Sequence, residues 1–430
     1  MCFRSLMVLP VFCLAVTGQD VNSPDPQIRS QAAQDLAGRG SEAIPQLTPL
    51  LKDPVTEVRV EAVKAFVNIG TQHSLDPLVE ALRDSDPEVQ IRATDGLVNF
   101  YLPGYVKTGL TASIRRAGKA IKSRFTDTND QIIPVSITPR PEIIEGLGKL
   151  ARGGATMESR ANAARAVGIL RGKDAVPDLI ESLQSKDDRI LYEVMIALQK
   201  IRDPSIAPRI AFLLRDFNEK VQIAAIETTG LLQNREALPD LRSAMERTNS
   251  KKVRRTALTA IGMLPDPASR ATYARYFEDK DEGMRAAAAE GYARLKDPAD
   301  LEMIRKAFEA ETKMPPRLAL AFALVSLGQM EMSEFSPLQY LVNTLNSRAY
   351  RGVVEAYLIE LAREPGVREA LYPALVAGTK AEQTGLAGVL SRSGDQSTLA
   401  HLERLSSDRD PEIATEALRA LQNLRARLQP

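Results

Sequence analysis

The chain has 430 residues, with 56 lysines and arginines against 55 aspartates and glutamates, and only 5% of it is aromatic, with no tryptophan. The near-neutral balance argues against a dedicated nucleic-acid binder, and the scarcity of aromatics argues against a β-sandwich or a sugar-binding groove. Abundant alanine, leucine and arginine suit closely packed helices instead.

Arg4 is the only charge before Asp20, and the apolar run SLMVLPVFCLAV (5–16) follows it. A short basic start, an apolar stretch and a small residue at Gly18 form the pattern of a secretory signal. Residues 1–18 are therefore expected to be a cleaved signal peptide, and the protein to be exported, periplasmic or secreted. About twelve apolar residues are too few to span a bilayer comfortably; an uncleaved anchor or a misassigned start is the other reading. Both cysteines, Cys2 and Cys13, lie in this segment, and Phe12 is too bulky to precede a lipidated cysteine. The rest of the chain has no thiol for a disulfide, a nucleophile or a zinc ligand.

From residue 24 onward the sequence repeats itself. DPVTEVRVEAVKAFVNIG (53–70), DSDPEVQIRATDGLVNF (84–100), DKDEGMRAAAAEGYARLKDP (279–298) and DRDPEIATEALRALQNL (408–424) each open on an acidic or polar turn and continue with apolar residues at helical spacing. A second, shorter helix follows, as in DPLVEALR (76–83) and AVPDLIESL (175–183). Apart from one gap the step is about 28 to 34 residues, the period of a helix-pair repeat. Asp86 and Asp410 are placed to cap the first helix, with Pro87 and Pro411 at the first helical position. Val58, Ala62, Ala65, Phe66 and Ile69 fall on one face of it. Pro45, Pro177, Pro208, Pro239 and Pro373 recur where the second helix is expected to open. A single pair cannot bury its apolar face, so the pairs must stack.

This pattern, clearest in ANAARAVGILRGKDAVPDLIESL (161–183), resembles HEAT repeats, and most of all the short HEAT-like class associated with phycobilisome lyases. The resemblance implies an all-α fold, an α-solenoid: a right-handed superhelix of about twelve HEAT-like pairs over residues 24–428. Residues 19–102 hold its first repeats and residues 141–430 continue the same array. In proteins of this resemblance an arginine early in the first helix pairs with turn carboxylates and joins adjacent repeats. Arg29, Arg59, Arg92, Arg254 and Arg285 are expected to do so here.

Chemistry-bearing motifs are missing from the sequence. It has no G-x-S-x-G, no P-loop and no H-E-x-x-H. The two histidines, His73 and His401, are not followed by glutamate. The His-Glu pairs by which HEAT-like deoxyhypusine hydroxylases hold a di-iron site are thus absent. The acidic turns 84–88 and 279–283 do not continue into a calcium-loop pattern. No catalytic, cofactor-binding or metal residue is expected, and the protein is read as no enzyme.

One segment breaks the period. The first helix of the third repeat ends near Leu102, and its second helix, PEIIEGLGKLAR, begins only at 141. Within the intervening residues 103–140, the stretch 105–125 carries Lys107, Arg115, Arg116, Lys119, Lys122 and Arg124 and no acidic residue. Leu110, Ile114, Ala117, Ile121 and Phe125 step by three and four, the stripe of an amphipathic helix; residues 132–141 are proline-broken and suit an extended return. Insertions in repeat arrays often mark a binding face. Three readings stand: the helix packs on the array, it docks an acidic protein partner or subunit, or it lies on an anionic membrane surface. The leading expectation is a non-enzymatic scaffold or adaptor for protein partners, needing no cofactor and no nucleic acid, with the six cations as partner-binding residues. The alternative is an envelope-surface protein that binds anionic lipid through residues 105–125.

Overall fold

The computed structural model of the protein describes residues 20–105 and 131–429. The expected signal peptide lies outside them. Two compact units are formed: the described residues up to Ile132 together with Pro139–Ala197, and Leu198 onward together with Ile133–Thr138.

The first unit contains α1 (Pro26–Ala37), α2 (Ile44–Leu47), α3 (Thr56–Ile69), α4 (Leu75–Ala81), α5 (Pro87–Tyr101), α6 (Pro141–Gly153), α7 (Met157–Ile169), α8 (Val176–Ser182) and α9 (Asp188–Ile201), whose last turn falls in the second unit. The long helices α1, α3, α5 and α7 pack side by side, and α6 packs between α4 and α8 in the row of shorter helices. In the second unit the 3₁₀ helix Pro204–Arg215 is followed by α10 (Glu219–Leu231), α11 (Leu238–Arg247), α12 (Lys251–Gly262), α13 (Arg270–Phe277), α14 (Glu282–Leu295), α15 (Leu301–Ala310), α16 (Met314–Ser326), α17 (Pro337–Thr344), α18 (Arg351–Leu361), α19 (Pro365–Ala377), α20 (Lys380–Ser393), α21 (Thr398–Leu405) and α22 (Pro411–Leu428). Its even-numbered helices form the long row and the others the short row. Among the described residues there is no strand, and no helix is long and apolar enough to cross a membrane.

Local chemistry sets each boundary. The Asp86 carboxylate accepts from the backbone N–H groups of Glu88 and Val89, and Asp410 accepts from that of Glu412. The prolines behind them sit in the first turn, where an N–H has no intrahelical partner. Several long helices end on a left-handed residue that turns the chain into the short helix. Gly70 (φ 59°) has this conformation, as do the non-glycine residues Arg171 (φ 53°), Arg202 (φ 56°), Gln233 (φ 55°) and Lys296 (φ 52°). Close approach of the long helices needs small side chains. A Cβ on Gly168 of α7 would lie 2.6 Å from the Ala197 Cα of α9.

The core follows the expected stripe with one exception. Val58, Ala62, Ala65 and Phe66 are buried, but Ile69 is only half-buried, because it lies in the last turn before Gly70 leaves the helix. Pro45, Pro177 and Pro239 open their helices, whereas Pro373 lies inside α19 and Pro208 inside its 3₁₀ helix. In that repeat α19 already starts at Pro365, eight residues before Pro373, so the proline falls mid-helix.

Candidate interaction surface

The fourth residue of a long helix performs a recurring task. From that position Arg29, Arg59, Gln90, Arg254, Arg285 and Arg317 each donate a side-chain hydrogen bond to the backbone carbonyl six residues earlier, at 2.6 to 3.2 Å. This ties the turn down onto the helix it precedes. Three of the arginines also reach the next repeat. Arg29 forks onto Asp53 (2.6 and 2.9 Å), Arg59 onto Asp84 (2.7 and 3.0 Å) and Arg285 onto Glu311 (2.8 and 3.2 Å). The hydrogen bond from Arg29 holds the Asp53 carboxyl below its ordinary range, against the opposing effect of burial. The expected pairing thus holds for Arg29, Arg59 and Arg285. Arg254 keeps only the backbone bond among those described, and Arg92 is out of register. Helix α5 starts at Pro87, so its fourth residue is Gln90, while Arg92 pairs with Glu88 of its own helix.

A second set of polar residues joins neighbouring long helices. In the first unit Gln34 donates to Glu61 (3.1 Å) and Asn162 to Asp95 (2.9 Å). Arg165 of α7 grips Glu193 of α9 with both arms, the Nε–Oε2 bond being 3.0 Å, and both side chains are buried. Burial acts to lower the Arg165 pKa, but the bonds from Glu193 and Tyr105 outweigh it and leave it raised. Tyr105, the last described residue on the outgoing side of the insertion, reaches the same guanidinium, and burial beside Asp95 pushes its hydroxyl well up.

Both roots of the insertion are thereby fixed. On the outgoing side Gly104 N–H donates to Asn99 (3.2 Å), and Tyr105 engages Arg165. On the return side Ile133 is buried, residues 134–137 form a turn, and the Arg140 N–H donates to the Tyr101 hydroxyl (3.1 Å) while its guanidinium pairs with Asp76 (2.6 Å). The return is irregular rather than helical, as its prolines imply. A shallow cleft of about 170 Å³ opens beside the outgoing root, lined by Phe66, Leu75, Leu78, Asn99, Phe100 and Pro103. Lys107, Arg115, Arg116, Lys119, Lys122 and Arg124 lie outside the described residues. Sequence reading found the insertion but not its anchors, because Tyr105 and Arg165 are sixty residues apart and carry no motif.

The second unit has its own polar cluster. Arg294 of α14 forks onto Glu360 of α18 at 2.8 and 2.9 Å, and Tyr357 donates to Glu290 at 2.5 Å. Phe322 of α16 lies between them, stacked on Tyr357 at 4.7 Å with the Arg294 guanidinium 5.2 Å from its ring centre. Burial opposes the charge on Arg294, but Glu290 and Glu360 more than offset it and its pKa is raised. Among the described residues no group of histidine, cysteine, aspartate and glutamate side chains is arranged to hold a metal ion.

Paired helices stacked through ladders of arginine and carboxylate define an α-solenoid. Comparison with known families agrees: the HEAT repeats model matches residues 17–98, 206–272 and 244–325, and the PBS lyase HEAT-like repeat matches residues 159–185. These spans cover more than half of the sequence, and the chain belongs to the HEAT-repeat proteins. HEAT repeats suggest a repeat scaffold or protein-interaction role. No curated protein sequence matches this chain. Among solved structures, an engineered protein matches at 18% identity over 95% of this chain and 98% of its own, with a TM-score of 0.35. The Escherichia coli protein YibA matches at 14% identity over 69% of this chain and 95% of its own, with a TM-score of 0.41. Human deoxyhypusine hydroxylase, solved in complex with glycerol, matches at 19% identity over 64% of this chain and 93% of its own, with a TM-score of 0.25.

Proposed function

We propose that the protein is a non-enzymatic scaffold or adaptor that works outside the cytoplasm and docks an acidic protein partner through the insertion after α5. The observation that carries this reading is that the described helices on either side of residues 106–130 stack directly on one another. Helix α5 packs on α7, and α6 fills its place between α4 and α8, so those residues are not needed to complete a layer. An insertion that the core does not require, tied at both roots, is suited to recognition. Its six cations supply long-range attraction for an acidic surface. Export is supported by the apolar run 5–16 and by the absence of cysteine after Cys13.

The test compares the mature chain with a variant carrying Gln at Lys107, Arg115, Arg116, Lys119, Lys122 and Arg124, by crosslinked affinity purification from the native cell envelope. The variant is expected to keep its circular dichroism and melting curve and to lose an acidic protein that the parent captures. An unchanged set of captured proteins overturns the docking role and moves it to the polar ladder of the long helices. Co-sedimentation with vesicles of anionic phospholipid, lost in the variant while no protein is captured by either form, favours the lipid alternative.

A further inference from the structure

The connection between α16 and α17 differs from its counterparts. Two residues, Gly70 and Thr71, lead from α3 into the next 3₁₀ helix, and two, Lys296 and Asp297, do so after α14. After α16 the corresponding stretch runs from Leu327 to Ser336. It joins the end of a long helix to the start of a short one, the same step of the repeat at which the insertion leaves α5.

This loop is built, not slack. Gly328 (φ 100°) turns the chain out of α16. The buried Ser336 then gathers the far side: its hydroxyl donates to the Glu331 carbonyl (2.7 Å) and accepts from the backbone N–H groups of Ser333 and Gln339 (both 3.3 Å). The result holds Phe335 at φ 67°, a left-handed conformation unfavourable for a bulky residue, with 86% of the side chain exposed. Neither the strain nor the exposure serves the core. An exposed, pre-ordered aromatic of this kind is the typical anchor of a protein interface. The charge along the loop itself suits a basic partner: from Leu318 to Ser347 the sequence has no lysine or arginine, and Glu331 and Glu334 beside Phe335 are both exposed.

We infer that the loop 327–336 is a docking point for the basic segment 105–125 of a second copy of this chain. That segment has the complementary composition, six cations without a carboxylate and apolar residues at 110, 114, 117, 121 and 125. Phe335 supplies the apolar anchor, and Glu331 and Glu334 the countercharge. The inference rests on the reading of 105–125 as a docking segment and names its acidic partner.

The test uses a fluorescent peptide of residues 105–125 titrated with the full mature chain, read by anisotropy at two salt concentrations. The expected result is saturable binding that weakens with salt. Phe335→Gly should lower the affinity about tenfold or more while the melting temperature stays level or rises, since glycine accepts the left-handed conformation. Glu331→Lys with Glu334→Lys should abolish the binding. Peptide that does not bind, or binds Phe335→Gly and the charge-reversed variant as tightly as the parent, overturns the inference. In that event the envelope purification with the charge-neutralised chain still decides whether 105–125 docks some other acidic protein, so the two readings fail separately.

Discussion

The two polar clusters, one in each unit, solve the same problem at different reach. Arg165 binds Glu193 on the adjacent long helix, 28 residues away, whereas Arg294 binds Glu360 across α16, 66 residues away. In the first case the ion pair is sealed, with side chains 2% and 8% exposed; in the second the arginine is covered but the glutamate is 37% exposed. The comparison separates two uses of a buried arginine. One neutralises a carboxylate already trapped between neighbours. The other spans a layer whose own contribution at that point, Phe322, is a ring and not a charge.

The largest effect expected from this contrast is at the sealed pair. Arg165→Met should cost about 4 kcal/mol, because it strands the buried Glu193 carboxylate. Arg294→Met should cost roughly half as much, about 2 kcal/mol, since water can reach Glu360 once the arginine is gone and the Tyr357 hydroxyl still donates to Glu290. Urea unfolding of both variants checks the order, and equal losses would mean that reach and burial do not set the energetics here.

A smaller effect concerns acid. The Asp53 carboxyl, bonded by Arg29, lies below the ordinary aspartate value of 3.8 when folded. A depressed carboxylate contributes in full above its unfolded value and loses that contribution as the pH falls through the folded one. Stability should therefore drop from about pH 4 downward, and Arg29→Gln should flatten that drop. Urea midpoints measured across this range in parent and variant decide the point; parallel curves would remove Arg29 from the account.

The smallest effect is a gain. Gln233 is exposed and adopts φ 55°, the conformation that Gly70 adopts at the equivalent helix end. Gln233→Gly should raise stability by up to about 1 kcal/mol, seen as a higher midpoint in thermal melting. A lower midpoint would show that the side chain contributes more than its backbone strain costs.

Much of the fold was legible because its signals are local. Caps such as Asp86 and Asp410, the helical stripe from Val58 to Phe66 and the recurring Arg29, Arg59 and Arg285 all lie within one repeat or between adjacent ones. What was misread turned on register. Arg92 looks like a member of the arginine series by residue type, but helix position is counted from the cap, and there Gln90 takes its place. Pro373 likewise looked like a helix opener, although α19 begins eight residues earlier. Of the site, the insertion was visible as a gap in the period. Its anchors at Tyr105, Arg165 and Tyr101 were not, since contacts across a long sequence separation leave no spacing to read. Phe335 was invisible for another reason: one phenylalanine in a loop looks like any other until its backbone angle and exposure are known.

The reach of Arg294 also bears on how the second unit would come apart under load. Where bonds extend only to the next layer, pulling on one end should peel an array one helix pair at a time, each release independent of the rest. The Arg294–Glu360 and Lys296–Glu364 bonds skip a layer. They bind α14, α16 and α18 into one mechanical block, which should resist and then yield as a single larger step amid the smaller ones.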